Sequence, residues 1–293
     1  MYNILLNKIY TCWKSQPDKP EETPESTLKA LYFLAAGSPL SASQAISVEL
    51  PKLDELANKK LLNLVDQRCK GVPLSYITGR QQFMGIEFLV SPGAMIPRKE
   101  TEILGYEALT ITRGLSAKRG DLVLLDVCSG CGNLILGVLS HQPNTRGFGS
   151  DLSFNAIQLA ELNANQLGLQ KRVAFRQGDL FEPFGTSEFH SKMDIIICNP
   201  PYISSKKVSL LDPEIANNEP NLAFDGGPFG LTILTNLIRE APRFLKTNSY
   251  LCFEVGLGQG VFVERMLKNS KQYQNIRSLN DENGNIRAFV AGN

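Results

Sequence analysis

Apolar and polar positions keep one rhythm up to about residue 82 and another beyond residue 120. Early on, Ile4, Leu5, Ile9 and Trp13 recur at helical spacing, and a stretch over 16–25 rich in proline and charge breaks the pattern. Residues 27–36 predict a second helix, closed by Gly37 with Pro39 beyond, and 41–48 a short third one. A longer helix is expected from Pro51, with Leu53, Leu56, Ala57, Leu61, Leu64 and Val65 as its stripe and Gly71 and Pro73 as its end. Such stripes read as bundle core rather than binding site. Phe83, Ile86, Phe88 and Val90 around Gly85 predict a β-hairpin, and 96–102 opens a helix through about residue 112. Thereafter short β-branched runs alternate with helical stripes. Strands are expected at 122–127, 146–150, 173–177, 194–198, 250–255, 275–279 and 286–290, and helices at 134–140, 155–167, 231–244 and 261–269. That alternation implies an α/β fold with a parallel sheet covered on both faces. The expected organisation is a helical domain over 1–82 and an α/β domain over 83–293, with a linking hairpin at 83–91.

Four strand ends carry candidate chemistry. The first candidate strand runs into Cys128-Ser129-Gly130-Cys131-Gly132, where glycines let backbone approach a ligand and the following helix offers unpaired N–H groups. This is not the G-x-G-x-x-G spacing that serves a pyrophosphate. One strand later Asp151 stands where a carboxylate can accept from both ribose hydroxyls; taken alone it also reads as a cap for the next helix. Asp179 and Leu180 follow the third strand, the acid suited to an exocyclic adenine amine. After the fourth comes Asn199-Pro200-Pro201-Tyr202. Two prolines stop the strand and stiffen the loop, so the Asn199 amide oxygen and the Pro200 carbonyl can accept both hydrogens of one –NH₂ group, with Tyr202 as a flat face beside them. That loop reads as a holder for an amino or amide nitrogen about to be methylated.

Totals narrow the choice. The 293 residues are 43% hydrophobic and 20% charged, with a formal net charge of +1. Without a basic surplus, a broad grip on nucleic-acid phosphates is disfavoured, so a DNA adenine-N6 methyltransferase is the weaker alternative although N-P-P-Y suits that amine too. No apolar run approaches the ~20 residues needed to span a bilayer, and no signal-peptide pattern opens the chain, so the expectation is a cytoplasmic protein without a membrane partner. Cys128 and Cys131 have C-x-x-C spacing, but a zinc site wants further ligands and the two histidines supply no such motif, so no metal is expected. A redox role for that pair stays open beside the glycine-loop reading.

In this order the motifs resemble the peptide-chain release factor glutamine N5-methyltransferases, within the class I S-adenosylmethionine-dependent methyltransferases. The resemblance also runs through Gly71–Gly79, Ile96-Pro97-Arg98 with Glu100-Thr101-Glu102, Glu219-Pro220, Asp225-Gly226-Gly227, Glu254-Val255-Gly256 and Arg287. It implies a Rossmann-like domain of seven mostly parallel strands, preceded by a small helical domain that helps dock a protein substrate. It implies that 128–132, Asp151, Asp179, Leu180 and Asn199 contact the methyl donor, with S-adenosylhomocysteine as product. Asn199, Pro200, Pro201 and Tyr202 would form the glutamine pocket, and no catalytic base or metal is required. For Arg98, lining that pocket and a plain surface pair with Glu102 are both open. The implied substrate is the glutamine of the Gly-Gly-Gln loop of release factors, with no direct nucleic-acid contact. Cys128 stands where glycine is usual, Cys131 where a small hydroxyl residue is usual, and Asn218 where an aromatic often precedes Glu219. A paralogue acting on another protein glutamine or a small-molecule nitrogen is therefore the alternative. The connection over 203–230 reads as a segment covering the substrate.

Overall fold

The computed structural model describes residues 1–293. Its first elements are helices α1 (Tyr2–Cys12), α2 (Pro24–Ala35), α3 (Ala42–Ala45), α4 (Glu55–Cys69) and α5 (Leu74–Thr78), then strands β1 (Arg80–Phe83) and β2 (Ile86–Leu89). There follow α6 (Glu102–Arg119), β3 (Leu122–Val127), α7 (Asn133–His141), β4 (Thr145–Asp151), α8 (Phe154–Gln166), β5 (Val173–Gln177) and β6 (Met193–Cys198). The remainder is α9 (Ser205–Val208), α10 (Pro213–Asn218), α11 (Thr232–Glu240), β7 (Leu245–Glu254), α12 (Gly260–Ser270), β8 (Asn275–Asn280) and β9 (Ile286–Gly292). No helix is long and apolar enough to cross a membrane.

The chain divides into two compact units. The first comprises Met1–Pro92, Ile96–Lys99 and Leu211–Glu219. Its core buries Leu5, Ile9, Leu28, Leu31, Leu61 and Val65, each side chain contributing roughly 1.5–3 kcal/mol by leaving water. Two expected stripe positions face solvent: Ile4 is 72% and Leu56 77% exposed. The reason at Leu56 is the helix start. Asp54 accepts from the Ala57 N–H at 2.7 Å and caps α4 four residues past Pro51, leaving Leu56 in the first turn on the outer face. The hairpin turns at Met84 and Gly85, both at positive φ as a tight two-residue turn requires. It belongs to this unit rather than to the α/β part where its sequence position suggested. Glu87 accepts from the Ser41 N–H at 2.7 Å, and Gln81 bonds Ser75 at 2.8 Å and Glu21 at 2.7 Å. A disulfide joins Cys12 to Cys69, tying the end of α1 to the end of α4.

The second unit comprises Gly93–Met95, Glu100–Leu210 and Pro220–Asn293. It is built on a seven-stranded sheet in the order β5-β4-β3-β6-β7-β9-β8, parallel except for β9, which runs antiparallel to both neighbours. β3 and β6 are buried almost throughout, which is why they read as unbroken apolar runs. The start of β6 is pinned by Asp194, fully buried, which accepts from the Val123 N–H at 2.9 Å and pairs with Arg119 at 3.2 Å and Lys246 at 2.5 Å. Two helices differ from expectation. α6 begins at Glu102, past Pro97, and runs on to Arg119 before Gly120. The helix expected over 231–244 ends at Glu240, and a tighter turn over Ala241–Arg243 takes its place because Pro242 has no N–H to continue the ladder. The order of strands reverses at β3/β6: β4 and β5 lie to one side of β3 and β6 to the other. In open α/β sheets the crevice at the carboxyl ends of such a pair is where ligands bind.

Candidate active site

Two loops leave the sheet at that reversal. The one after β3 is forced into a tight path by departures from ordinary backbone at three alternate positions: Cys128 at φ 62°, Gly130 at 54° and Gly132 at 81°. Gly132 has no room for a side chain either, since an added Cβ would lie 3.0 Å from Leu136 and 3.1 Å from Phe175. Cys128 pays the left-handed strain that glycine would avoid. The loop is tied to β4 by the Ser129 N–H donating to the Ser150 carbonyl at 2.9 Å. Asp151 then accepts the Gly130 N–H at 2.8 Å and the Ser153 N–H at 2.9 Å. It therefore braces the glycine loop, and the cap of α8 is Ser153, which accepts from Ala156 at 3.3 Å. Burial pushes the Asp151 carboxyl above the usual range against the pull of those two N–H groups.

A cavity opens beside this loop, lined among others by Cys128, Ser129, Asp151, Leu180, Asn199 and Pro201. Gly130 and Asp179 also face it. Leu180 reaches it from a left-handed backbone (φ 44°), its carbonyl held by the Ser150 hydroxyl at 2.6 Å. Ser129 Oγ and Asp126 Oδ1 are buried without a hydrogen-bond partner. Asp126 is fully buried and its carboxyl is pushed well above the usual range by desolvation. An acceptor carboxylate at the end of β4, a second at the end of β5, open backbone around Gly130 and orphaned polar atoms behind the loop fit a polar nucleoside-bearing ligand with a charged tail.

The second loop holds Asn199–Tyr202. Asn199 donates from Nδ2 to the Thr101 hydroxyl at 3.2 Å, and Pro200 is buried. Tyr202 donates its phenol to Glu254 at 2.9 Å, while its carbonyl accepts from Gln259 at 2.9 Å. Burial and the Glu254 carboxylate push the Tyr202 hydroxyl well above its ordinary range, so it stays a donor. Glu254 is itself buried, its Oε2 without a hydrogen-bond partner, and its carboxyl is pushed up to about 7 because desolvation and Glu100 outweigh the pull of Thr101, Tyr202 and Arg287. Glu100 in turn pairs with Arg287 at 2.5 Å. Thr101 and Glu254 are the residues that motif reading undervalued: a Thr between two acids and an acid ending a strand look like helix-start and backbone-bonding residues.

Two readings that the sequence left open are narrowed by the structure. Arg98, open between a place at the substrate and a surface pair with Glu102, is 5% exposed and bonded within the first unit: its guanidinium pairs with Glu219 and, at 2.8 Å, with Asp18, and donates to the Ile96 carbonyl at 2.9 Å. The C-x-x-C pair lacks the features of a redox site. Cys131 is 1% exposed and burial raises its thiol to about 12, whereas a reactive thiol needs a lowered pKa and access. Its carbonyl accepts from the Asn163 amide at 3.0 Å and its thiol donates to the Asn133 side chain at 3.5 Å.

An open sheet reversing at β3/β6, with a glycine loop, a braced strand-end acid and an N-P-P-Y loop around one cavity, defines a class I S-adenosylmethionine-dependent methyltransferase. The family model described as a methyltransferase domain matches residues 118–290. A release factor glutamine methyltransferase from Moorella thermoacetica is 34% identical over 264 residues, 90% of this chain and 90% of that protein. Another, from Geobacter sulfurreducens, is 36% identical over 207 residues, 71% of this chain and 69% of that one. Among solved structures, a methyltransferase from Pyrococcus furiosus superposes with a TM-score of 0.50 at 12% identity, covering 80% of this chain and 98% of that one, which speaks for the fold alone. The chain belongs to the release factor glutamine methyltransferase family. It is an enzyme that uses S-adenosylmethionine.

Proposed function

We propose that this enzyme transfers a methyl group to N5 of the glutamine in the Gly-Gly-Gln loop of peptide-chain release factors. The observation that carries the reading is that Asn199 and Pro201 line the same cavity as Ser129 of the glycine loop and Asp151 at the end of β4. S-adenosylmethionine, when bound, supplies an electrophilic methyl on a sulfonium. Asp151 holds its ribose, Asp179 and Leu180 its adenine, and the 128–132 loop its amino-acid end. An amide nitrogen is a weak nucleophile, its lone pair delocalised into the carbonyl, and no side chain can usefully remove an amide proton near neutral pH. Asn199 Oδ1 and the Pro200 carbonyl accept the two N–H groups instead and aim the lone pair at the methyl carbon. As positive charge grows on nitrogen those two hydrogen bonds strengthen, so they favour the transition state over bound substrate. The surplus proton leaves afterwards to water. Pro201 and Tyr202 pack on the glutamine side chain. A substrate that works on the ribosome places the enzyme in the cytoplasm, acting on a protein and not on nucleic acid.

The test is to incubate the enzyme with labelled S-adenosylmethionine and a purified release factor and to map the product by mass spectrometry. One methyl on the glutamine of Gly-Gly-Gln, absent when that glutamine is alanine, is the expected result. An unmodified release factor beside a labelled protein or metabolite from cell extract overturns the substrate. Asn199→Ala should lower turnover by about 10²-fold or more while donor affinity changes little, as expected for an interaction made mainly in the transition state.

A further inference from the structure

We propose that Thr101 is a positioning residue for methyl transfer: it sets which way round the Asn199 amide stands, and so presents Oδ1 to the substrate. This rests on the reading above, in which Asn199 must accept. An asparagine amide offers an acceptor on one side and two donors on the other, so a flipped Asn199 would confront the substrate –NH₂ with N–H groups. The choice is made behind the loop. Thr101 is 2% exposed, so no bulk water competes for its hydroxyl. It stands at the start of α6 yet makes no side-chain bond to that helix, the ordinary use of a threonine there. The Glu254 carboxylate feels this hydroxyl and has a buried Oε2 without a partner, an acceptor for its single hydrogen. The lone pairs of Thr101 are left facing Asn199, which meets them with Nδ2 at 3.2 Å. Only the unflipped amide satisfies that contact, because Oδ1 in the same place would set lone pair against lone pair.

Glu254 completes the relay. The Tyr202 phenol donates to its Oε1 at 2.9 Å and its Oε2 is left for Thr101, so one carboxylate serves two residues of the N-P-P-Y loop. The hydrogens all run one way, from Asn199 to Thr101 and from Thr101 to Glu254. The signal in sequence is slight, since Thr101 lies 98 residues from Asn199.

Thr101→Val keeps shape and removes both the donor and the lone pairs, whereas Thr101→Ser keeps them. With release factor as substrate, Thr101→Val should lower kcat by 10- to 100-fold with donor affinity within about twofold, and Thr101→Ser should stay within about threefold of wild type. In an Asn199→Ala background Thr101→Val should cost less than twofold, because its effect passes through that amide. Independently of any substrate, the Asn199 side-chain amide resonance in ¹⁵N–¹H spectra, assigned by its loss in Asn199→Ala, should shift in Thr101→Val and not in Thr101→Ser. An unmoved resonance, equal losses in the valine and serine variants, or full additivity with Asn199→Ala overturns the proposal. A wild type that labels no release factor glutamine overturns the substrate reading instead, and the resonance still decides the role of Thr101.

Discussion

Glu254 is held where its charge is costly. Its carboxyl titrates at about 7 in the fold against 4.5 when free, raised by burial and Glu100 and moderated by Thr101, Tyr202 and Arg287. Between those values the folded state keeps a proton that the unfolded chain has lost, so stability falls as pH rises through that window. Below about pH 4.5 both states are protonated and no penalty exists, while above about pH 7 it stands in full, about 3 kcal/mol. Glu254→Gln keeps an acceptor oxygen but cannot ionise. Between pH 5 and pH 8 its stability by urea denaturation should gain on wild type by up to about 3 kcal/mol; parallel curves would rule the account out. Access separates another set of residues. Of the four free cysteines, Cys131, Cys198 and Cys252 are at most 1% exposed, while Cys128 lines the cavity beside the glycine loop. A maleimide should therefore label one thiol of the folded protein, at Cys128, and S-adenosylhomocysteine should slow it. Rapid labelling of a second thiol, or no protection, contradicts this placement. Residue identity at 128 was plain in the sequence; its left-handed backbone was not, because a cysteine there carries none of glycine's signal.

Elements were legible in proportion to how completely they are buried. β3 and β6 lie inside a parallel sheet and spell themselves out as apolar runs, and the glycine loop and N-P-P-Y follow directly at their ends. Helix starts were less legible, because caps decide them: Asp54 rather than Pro51 begins α4. The segment over 211–219 was read as part of a covering loop, yet it packs as α10 into the first unit through contacts no local pattern displays. Arg68 pairs with Glu214 at 2.7 Å, Asn218 donates to the Gly71 carbonyl at 3.2 Å, and Glu219 accepts from the Ile96 N–H at 2.9 Å besides pairing with Arg98. Glu219 has a 0% exposed side chain, and its removal would strand Arg98 and a buried N–H. Glu219→Ala should therefore destabilise the first unit by about 3–5 kcal/mol. Chemical denaturation measures it, and a loss below about 1 kcal/mol would mean that water or Asp18 takes over the guanidinium.

At the scale of the molecule, sequence order carried the α/β unit because a topological rule converts order into place: successive strands, then a reversal, then ligand. No comparable rule covers the first unit, where the partners that decide each position are far apart in the chain. Arg98 and Glu219 are separated by 121 residues, and the sequence accordingly left Arg98 open between the substrate and a surface pair with Glu102. Separation in sequence also hid the disulfide between Cys12 and Cys69, which are 57 residues apart and joined across α1 and α4 with Cα atoms 5.3 Å apart. Neither cysteine sits in a motif, so nothing local in the sequence pairs them. A loop of that length closed in the unfolded chain stabilises the fold by about 4 kcal/mol in the chain-entropy view, shared among α1, α2 and α4, whose side chains form one core. Unfolded without reductant, the chain should expose the four free thiols and, after reduction, all six cysteines. Cys12→Ser or added reductant should lower the unfolding free energy by about 2–4 kcal/mol, and the double replacement of Cys12 and Cys69 should match the reduced wild type. In a cell that keeps thiols reduced, the working enzyme would then be the less stable form, and its helical unit the part to loosen first in hydrogen exchange. Six titratable thiols in the unreduced chain, or amide protection in α1 unchanged by reductant, would remove the bond from the account of how that unit is held.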